Sequence, residues 1–97
     1  MSDDSRPGFT ARQGQYLAFI HAYTLLNGQP PAEADMQRFF RVSGPAVHQM
    51  LLGLERDGWI SRQPGTPRSI RLLVERARLP ELRPAAEQPV RNSVQRY

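Results

Sequence analysis

Ninety-seven residues with a hydrophobic fraction of 39% suffice for one small core, and no run approaches the roughly eighteen apolar residues a membrane span needs. Cysteine is absent, which excludes a disulfide framework and a thiolate metal centre, and two isolated histidines, His21 and His48, make no convincing zinc site. The formal charge is +4, and every basic residue is an arginine, whose planar fork suits phosphate and guanine edges.

The opening M-S-D-D-S-R-P-G is acidic and polar, so it is no signal peptide; together with the lack of cysteine this predicts a cytoplasmic protein. Residues 1–8 read as disordered, 9–76 as one domain and 77–97 as a flexible tail. Thr10-Ala-Arg-Gln13 fits a capping box, with Phe9 placed to staple the entry. A first helix is predicted from Ala11 to Asn27, stopped by Gly28. Tyr16, Leu17, Ile20, Tyr23 and Thr24 form its core stripe, and Gly14 weakens it by about 1 kcal/mol without evident reason.

Gln29-Pro30-Pro31 is a stiff link. A second helix is predicted over 33–40, burying Met36, Phe39 and Phe40, with Glu33 and Asp35 in its first turn and a poor cap in Ala32. Arg41-Val42 turns the chain, and Ser43 caps a third helix that Gly58 ends. There Val47, Met50, Leu51 and Leu54 share the inner face; Pro45, Gln49, Leu52 and Arg56 point outward, with no account of Leu52. Residues 59–63 and 69–73 read as strands around the turn-rich 64–68, with Ser69, Arg71 and Leu73 alternating against Ile70 and Leu72. Beyond Arg78 come three prolines and scattered charge, with a short helical turn around Glu81.

Between Ile60 and Leu79 five arginines face Glu75 alone, a net +4 that equals the charge of the whole chain. A helix followed at once by a basic hairpin predicts a mainly α fold with a small β-hairpin, a three-helix winged helix-turn-helix that meets DNA.

The residues also resemble the N-terminal DNA-binding domain of the LexA repressor family. Thr10-Ala-Arg-Gln13, Gly28-Gln-Pro-Pro31, Ser43, Ala46-Val47, Leu51, Leu54-Glu55, Gly58, Pro64-Gly65, Arg68 and Ile70-Arg71-Leu72-Leu73 carry the resemblance, over residues 9–74 without insertion. LexA proteins add a serine-lysine peptidase that cuts an Ala-Gly bond, whereas these residues hold no lysine and no Ala-Gly pair. The resemblance therefore implies the DNA-binding part without self-cleavage, either as a free-standing domain, which Met1 and the ragged tail favour, or as a fragment of something longer.

On this reading Pro45, Ala46 and Gln49 face bases, Gln49 pairing with adenine and Ala46 touching a thymine methyl. His48 sits where the family places a side chain near bases, or is simply solvent-exposed. Ser43, Arg12, Arg41 and Arg62, with Arg68 at the wing tip, are expected on backbone phosphates, three to five in all by estimate, which sets a salt slope of about −0.9 per phosphate. Arg71 either belongs to that set or is structural, paired with Glu55 or Asp57. The outward positions of the first helix are Ala18, His21, Ala22, Leu25 and Leu26, with Phe19 nearby. Either Phe19 and Leu26 enlarge the core or sit singly on the surface, or Phe19, Ala22, Leu25 and Leu26 form a dimer face, or this face docks the tail through Leu79 and Leu82. The expected partners are double-stranded DNA and a second copy of the chain, with no cofactor, membrane or small-molecule effector. The competing function is a winged-helix protein-interaction module using the apolar first helix. With no glycine-rich phosphate loop and no paired acid–base groups, an enzyme is not expected.

Overall fold

The computed structural model describes residues 8–88. The disorder expected of residues 1–7 and 89–97 lies outside the described residues.

Helix α1 runs Ala11–Asn27, and its start is fixed by two reciprocal bonds. The Thr10 hydroxyl accepts the Gln13 amide at 3.0 Å, and Gln13 Oε1 accepts the Thr10 amide at 2.9 Å. Gln13 Nε2 also reaches Asp57 at 3.2 Å, tying this end to the foot of α3 (Gly44–Arg56). Gly28 closes α1 in the left-handed region, with φ 77°.

Helix α2 spans Glu33–Phe40. Ala32 has no side chain to cap with, and Asp35 compensates by accepting the Ala32 amide at 2.8 Å. Arg41 ends α2 at φ 59°, a left-handed turn that redirects the chain into Ser43, whose hydroxyl caps α3 at the Ala46 amide, 3.2 Å away. Helix α3 closes with two nested bonds, Trp59 N–H to Leu54 O and Gly58 N–H to Glu55 O, a Schellman turn around Gly58 at φ 83°. That turn delivers the chain directly into the hairpin.

The hairpin is shorter than the sequence predicts. Strands β1 (Ile60–Ser61) and β2 (Arg71–Leu72) pair antiparallel over only two residue pairs, Ile60 with Leu72 and Ser61 with Arg71. Ser69 replaces the next ladder bonds with its side chain: its Oγ accepts the Gln63 amide at 2.9 Å and donates toward the Thr66 carbonyl at 2.8 Å. Pro64 and Pro67 have no amide to donate, and Arg68 turns at φ 57°. Three helices followed by a two-stranded hairpin make this a winged helix-turn-helix. Among the described residues no helix is long and apolar enough to cross a membrane.

The core joins α1 (Tyr16, Leu17, Ile20) to Met36 and Phe40 of α2, Val47, Leu51 and Leu54 of α3, and the hairpin through Trp59, Ile60 and Ile70. Phe19 belongs to it as well. It is buried, stacked on Phe39 at 4.7 Å and edge-on to Phe40 at 5.6 Å, so it is no part of an exposed face. Seven consecutive residues of α1, Gly14 to Ile20, are buried, so over two turns the helix is covered on every side.

Part of that cover is the segment read from sequence as a flexible tail. Short 3₁₀ turns at Arg76–Arg78 and Ala85–Glu87 flank a chain that lies along α1, with no helical turn at Glu81. The buried Gln15 side chain clasps it: Nε2 donates to the Glu81 carbonyl at 2.9 Å, while Oε1 accepts the Arg83 amide at 2.8 Å and the Gln88 side chain at 2.9 Å. Leu79 and Leu82 add apolar contact with the core. Gly14 now has its reason. A Cβ there would lie 3.0 Å from both the Phe9 ring and Pro80. Gly14→Ala should gain about 1 kcal/mol of helix propensity and displace the more yielding neighbour, the Pro80 strap. Hydrogen exchange of the Arg83 amide should accelerate while the global unfolding midpoint moves little; unchanged exchange at Arg83 would refute this account of Gly14.

Candidate nucleic-acid interface

Helix α3 buries Val47, Leu51 and Leu54 and leaves Pro45, His48, Gln49, Leu52 and Arg56 exposed, with Ala46 half-buried. The outward face read from the helical period is therefore open, and it lies beside the wing. Between them runs a cleft of about 610 Å³ lined by Pro31 to Glu33, by His48, Leu51, Leu52 and Glu55 of α3, and by wing residues 62–70. Leu52 is half-exposed because it walls this cleft. Ser43, exposed at the helix start, spends its oxygen lone pair on the Ala46 amide and keeps its O–H for donation.

The arginines divide into two sets. Arg62 is held inside: its Nη1 is 3.2 Å from Glu33 and its Nε 3.4 Å from Glu55, with only 18% of the side chain exposed. Glu33 also meets His48 Nδ1 at 3.6 Å, so one carboxylate links the start of α2, the outer face of α3 and the wing. Arg68, expected at the wing tip, folds back onto the helices. Its Nη1 donates to the Tyr23 hydroxyl at 3.0 Å and the Pro30 carbonyl at 3.3 Å, and lies 3.0 Å from Asp35 Oδ2. Asp35 is nearly buried, accepts the Ala32 amide and pairs with Arg38. The Ala32 amide foremost, then Arg68 and Arg38, hold its carboxyl below the ordinary carboxylate range against the opposing effect of burial.

Arg41 and Arg71 stand exposed without an ion pair among the described residues. Arg71 pairs with neither Glu55 nor Asp57, because Arg62 takes the first, and Arg56 and Gln13 take the second. Arg12 is half-buried near the Tyr16 hydroxyl, whose pKa burial raises and the Arg12 charge opposes. Local sequence signals missed Tyr23, Glu33 and Asp35 as anchors. Glu33 and Asp35 read only as acids favourable to a helix start, and their wing partners Arg62 and Arg68 lie about thirty residues away in sequence.

The fold, the open α3 face and the adjoining wing coincide with a sequence match. The family described as LexA DNA binding domain matches residues 6–69. The chain belongs to this family. Among similar proteins, the LexA repressor of Geobacter metallireducens is 40% identical over 65 residues, 66% of this chain and 32% of that protein. The LexA repressor of Thermotoga neapolitana is 36% identical over 63 residues, 65% of this chain and 32% of that protein. That of Thermosipho africanus is 38% identical over 64 residues, with 66% and 32% covered. The chain thus spans about a third of the length of these relatives. The LexA match ends at residue 69, before β2 begins at Arg71, so the folded LexA-type unit is longer than the matched stretch.

Proposed function

We propose that this LexA-type domain is a cytoplasmic, sequence-specific double-stranded DNA-binding regulator, a repressor rather than an enzyme. The observation that carries the reading is the open outer face of α3 beside a braced wing, in a chain of the LexA DNA binding domain family whose relatives are named repressors. Helix α3 enters the major groove with Pro45, Ala46, His48 and Gln49 toward the bases, while the wing lies along the flanking backbone. Gln49 is long and exposed enough for a bidentate adenine contact, and Ala46 offers a methyl to thymine. Phosphates are held by Ser43, Arg12 and Arg41, with Arg71 replacing Arg62 and Arg68, which have internal partners. The three arginines among them put the number of neutralised phosphates at the lower end of the expected range, about three per domain, for a salt slope of about −3.

Two or three base contacts specify little, and a two-fold pair of domains on a symmetric site doubles them. Leu25 and Leu26, exposed by 71% and 82%, with the half-buried Ala22 beside them, form the face proposed for that pairing. Selection from a random duplex pool tests the whole reading. A repeated half-site in inverted orientation is expected, and Gln49→Ala should relax preference at one base pair, a change of about 1–3 kcal/mol in discrimination. An unaltered profile removes Gln49 from base reading; a single unrepeated site removes the dimer; no enrichment at low salt removes DNA recognition and leaves a protein-interaction module using Leu25 and Leu26.

A further inference from the structure

We infer that Arg68 is a positioning residue that latches the wing to α1 and α2 before DNA arrives and contacts no phosphate itself. The inference rests on the DNA-binding reading for its consequence, although the latch exists without DNA. Arg68 is one of two non-glycine residues among those described with positive φ, at 57°. That conformation costs roughly 1–2 kcal/mol for a residue with a Cβ, and it persists where surrounding contacts over-determine it. Here they do. One guanidinium nitrogen engages a hydroxyl of α1, a carbonyl of the Pro30 link and a carboxylate of α2, and the guanidinium carbon lies 5.8 Å from the Tyr23 ring centroid. The left-handed turn is what points the side chain inward; from an extended backbone at the tip it would project with the loop.

Moving Arg68 onto a phosphate would strip three partners and leave Asp35, nearly buried, with one fewer cation. The wing has a ladder of only two residue pairs; Ile60 and Ile70 anchor its base in the core, and beyond them this tie and the Arg62 contacts hold it to the helices. A latched wing meets the backbone without first being ordered, whereas an unlatched one binds only in the fraction of molecules where it is in place.

Tyr23→Phe deletes one acceptor of Arg68 and changes no charge. Hydrogen exchange of the Gln63 and Thr66 amides in the unliganded protein should accelerate several-fold. Affinity for a selected duplex should fall about three- to tenfold, with the slope of log affinity against log salt unchanged. Arg68→Ala should accelerate exchange further at the same slope. A phosphate contact gives the opposite pattern: exchange unmoved, Tyr23→Phe silent, and a slope shallower by about 0.9 in Arg68→Ala. Unmoved exchange or a shallower slope overturns the latch. If the parent protein binds no duplex at low salt, the DNA reading fails, and the exchange measurement still decides whether Arg68 holds the wing.

Discussion

Trp59→Ala is expected to lower the unfolding free energy by about 3–5 kcal/mol, a large share of the roughly 5–15 kcal/mol available to a domain of this kind. Trp59 is almost fully buried at the point where three parts of the molecule converge. Its amide closes the end of α3 on the Leu54 carbonyl, and its carbonyl accepts the Leu73 amide at 2.8 Å to start the wing. Its indole meets the Phe9 ring edge-on at 5.2 Å, and the Arg78 guanidinium lies over it at 5.2 Å. Alanine keeps both backbone bonds and removes the ring, so the entry to α1, the root of the wing and the first 3₁₀ turn lose a shared wall. The melting temperature should drop by roughly 15 °C or more, followed by circular dichroism because the variant lacks the chain's single tryptophan. A loss below about 1 kcal/mol would mean that the neighbours close the gap, and that Trp59 is not the keystone its position suggests.

Asp35→Asn is expected to cost about 2–3 kcal/mol at neutral pH, and the cost should vanish in acid. The Asp35 carboxylate caps α2 through the Ala32 amide, pairs with Arg38 and holds Arg68. These contacts lower its pKa in the folded chain below the ordinary 3.8, so the unfolded state binds the proton more readily. Its contribution is therefore complete above the unfolded value and is lost as pH falls through the folded one. Denaturation curves for parent and variant should stay apart near neutrality and converge well below pH 3.8. A gap that is constant with pH would show that shape, not charge, is what Asp35 supplies.

Most of the helical framework was legible because its signals are local. Thr10 with Gln13, Gly28, Ser43 and Gly58 each act within a few residues, and each stands at the predicted boundary. What escaped was set by partners distant in sequence. Phe19 stood open between the core and a dimer face because the helical period assumes one covered side, whereas α1 is covered by α2 on one flank and the strap on another, which puts Phe19 in the core. Each strand reads three residues too long because alternation cannot reveal that Ser69 will bond with its hydroxyl instead of its amide. Arg62 and Arg68 read as free cations because composition counts charge and not occupancy. At the interface, the outward face of α3 followed from periodicity alone, while the glutamate beside His48 comes from another helix.

Residues 79–88 also change what a boundary means for this chain. Six residues, 73–78, separate β2 from the start of the strap, so the strap is presented to α1 at an effective concentration on the order of millimolar. Three side-chain bonds from Gln15 and two leucines are enough to hold a segment delivered that way, though the same ten residues as a free peptide would bind weakly. A chain cut where the family match ends, at residue 69, would lose Ile70 and Val74 from the core together with β2, and leave the Gln15 amide without its three partners. It would also uncover the bare backbone at Gly14, which seats Pro80 of the strap beside the Phe9 ring. Among the described residues the folded unit therefore reaches past the wing to Gln88, whose side chain still bonds Gln15 on α1.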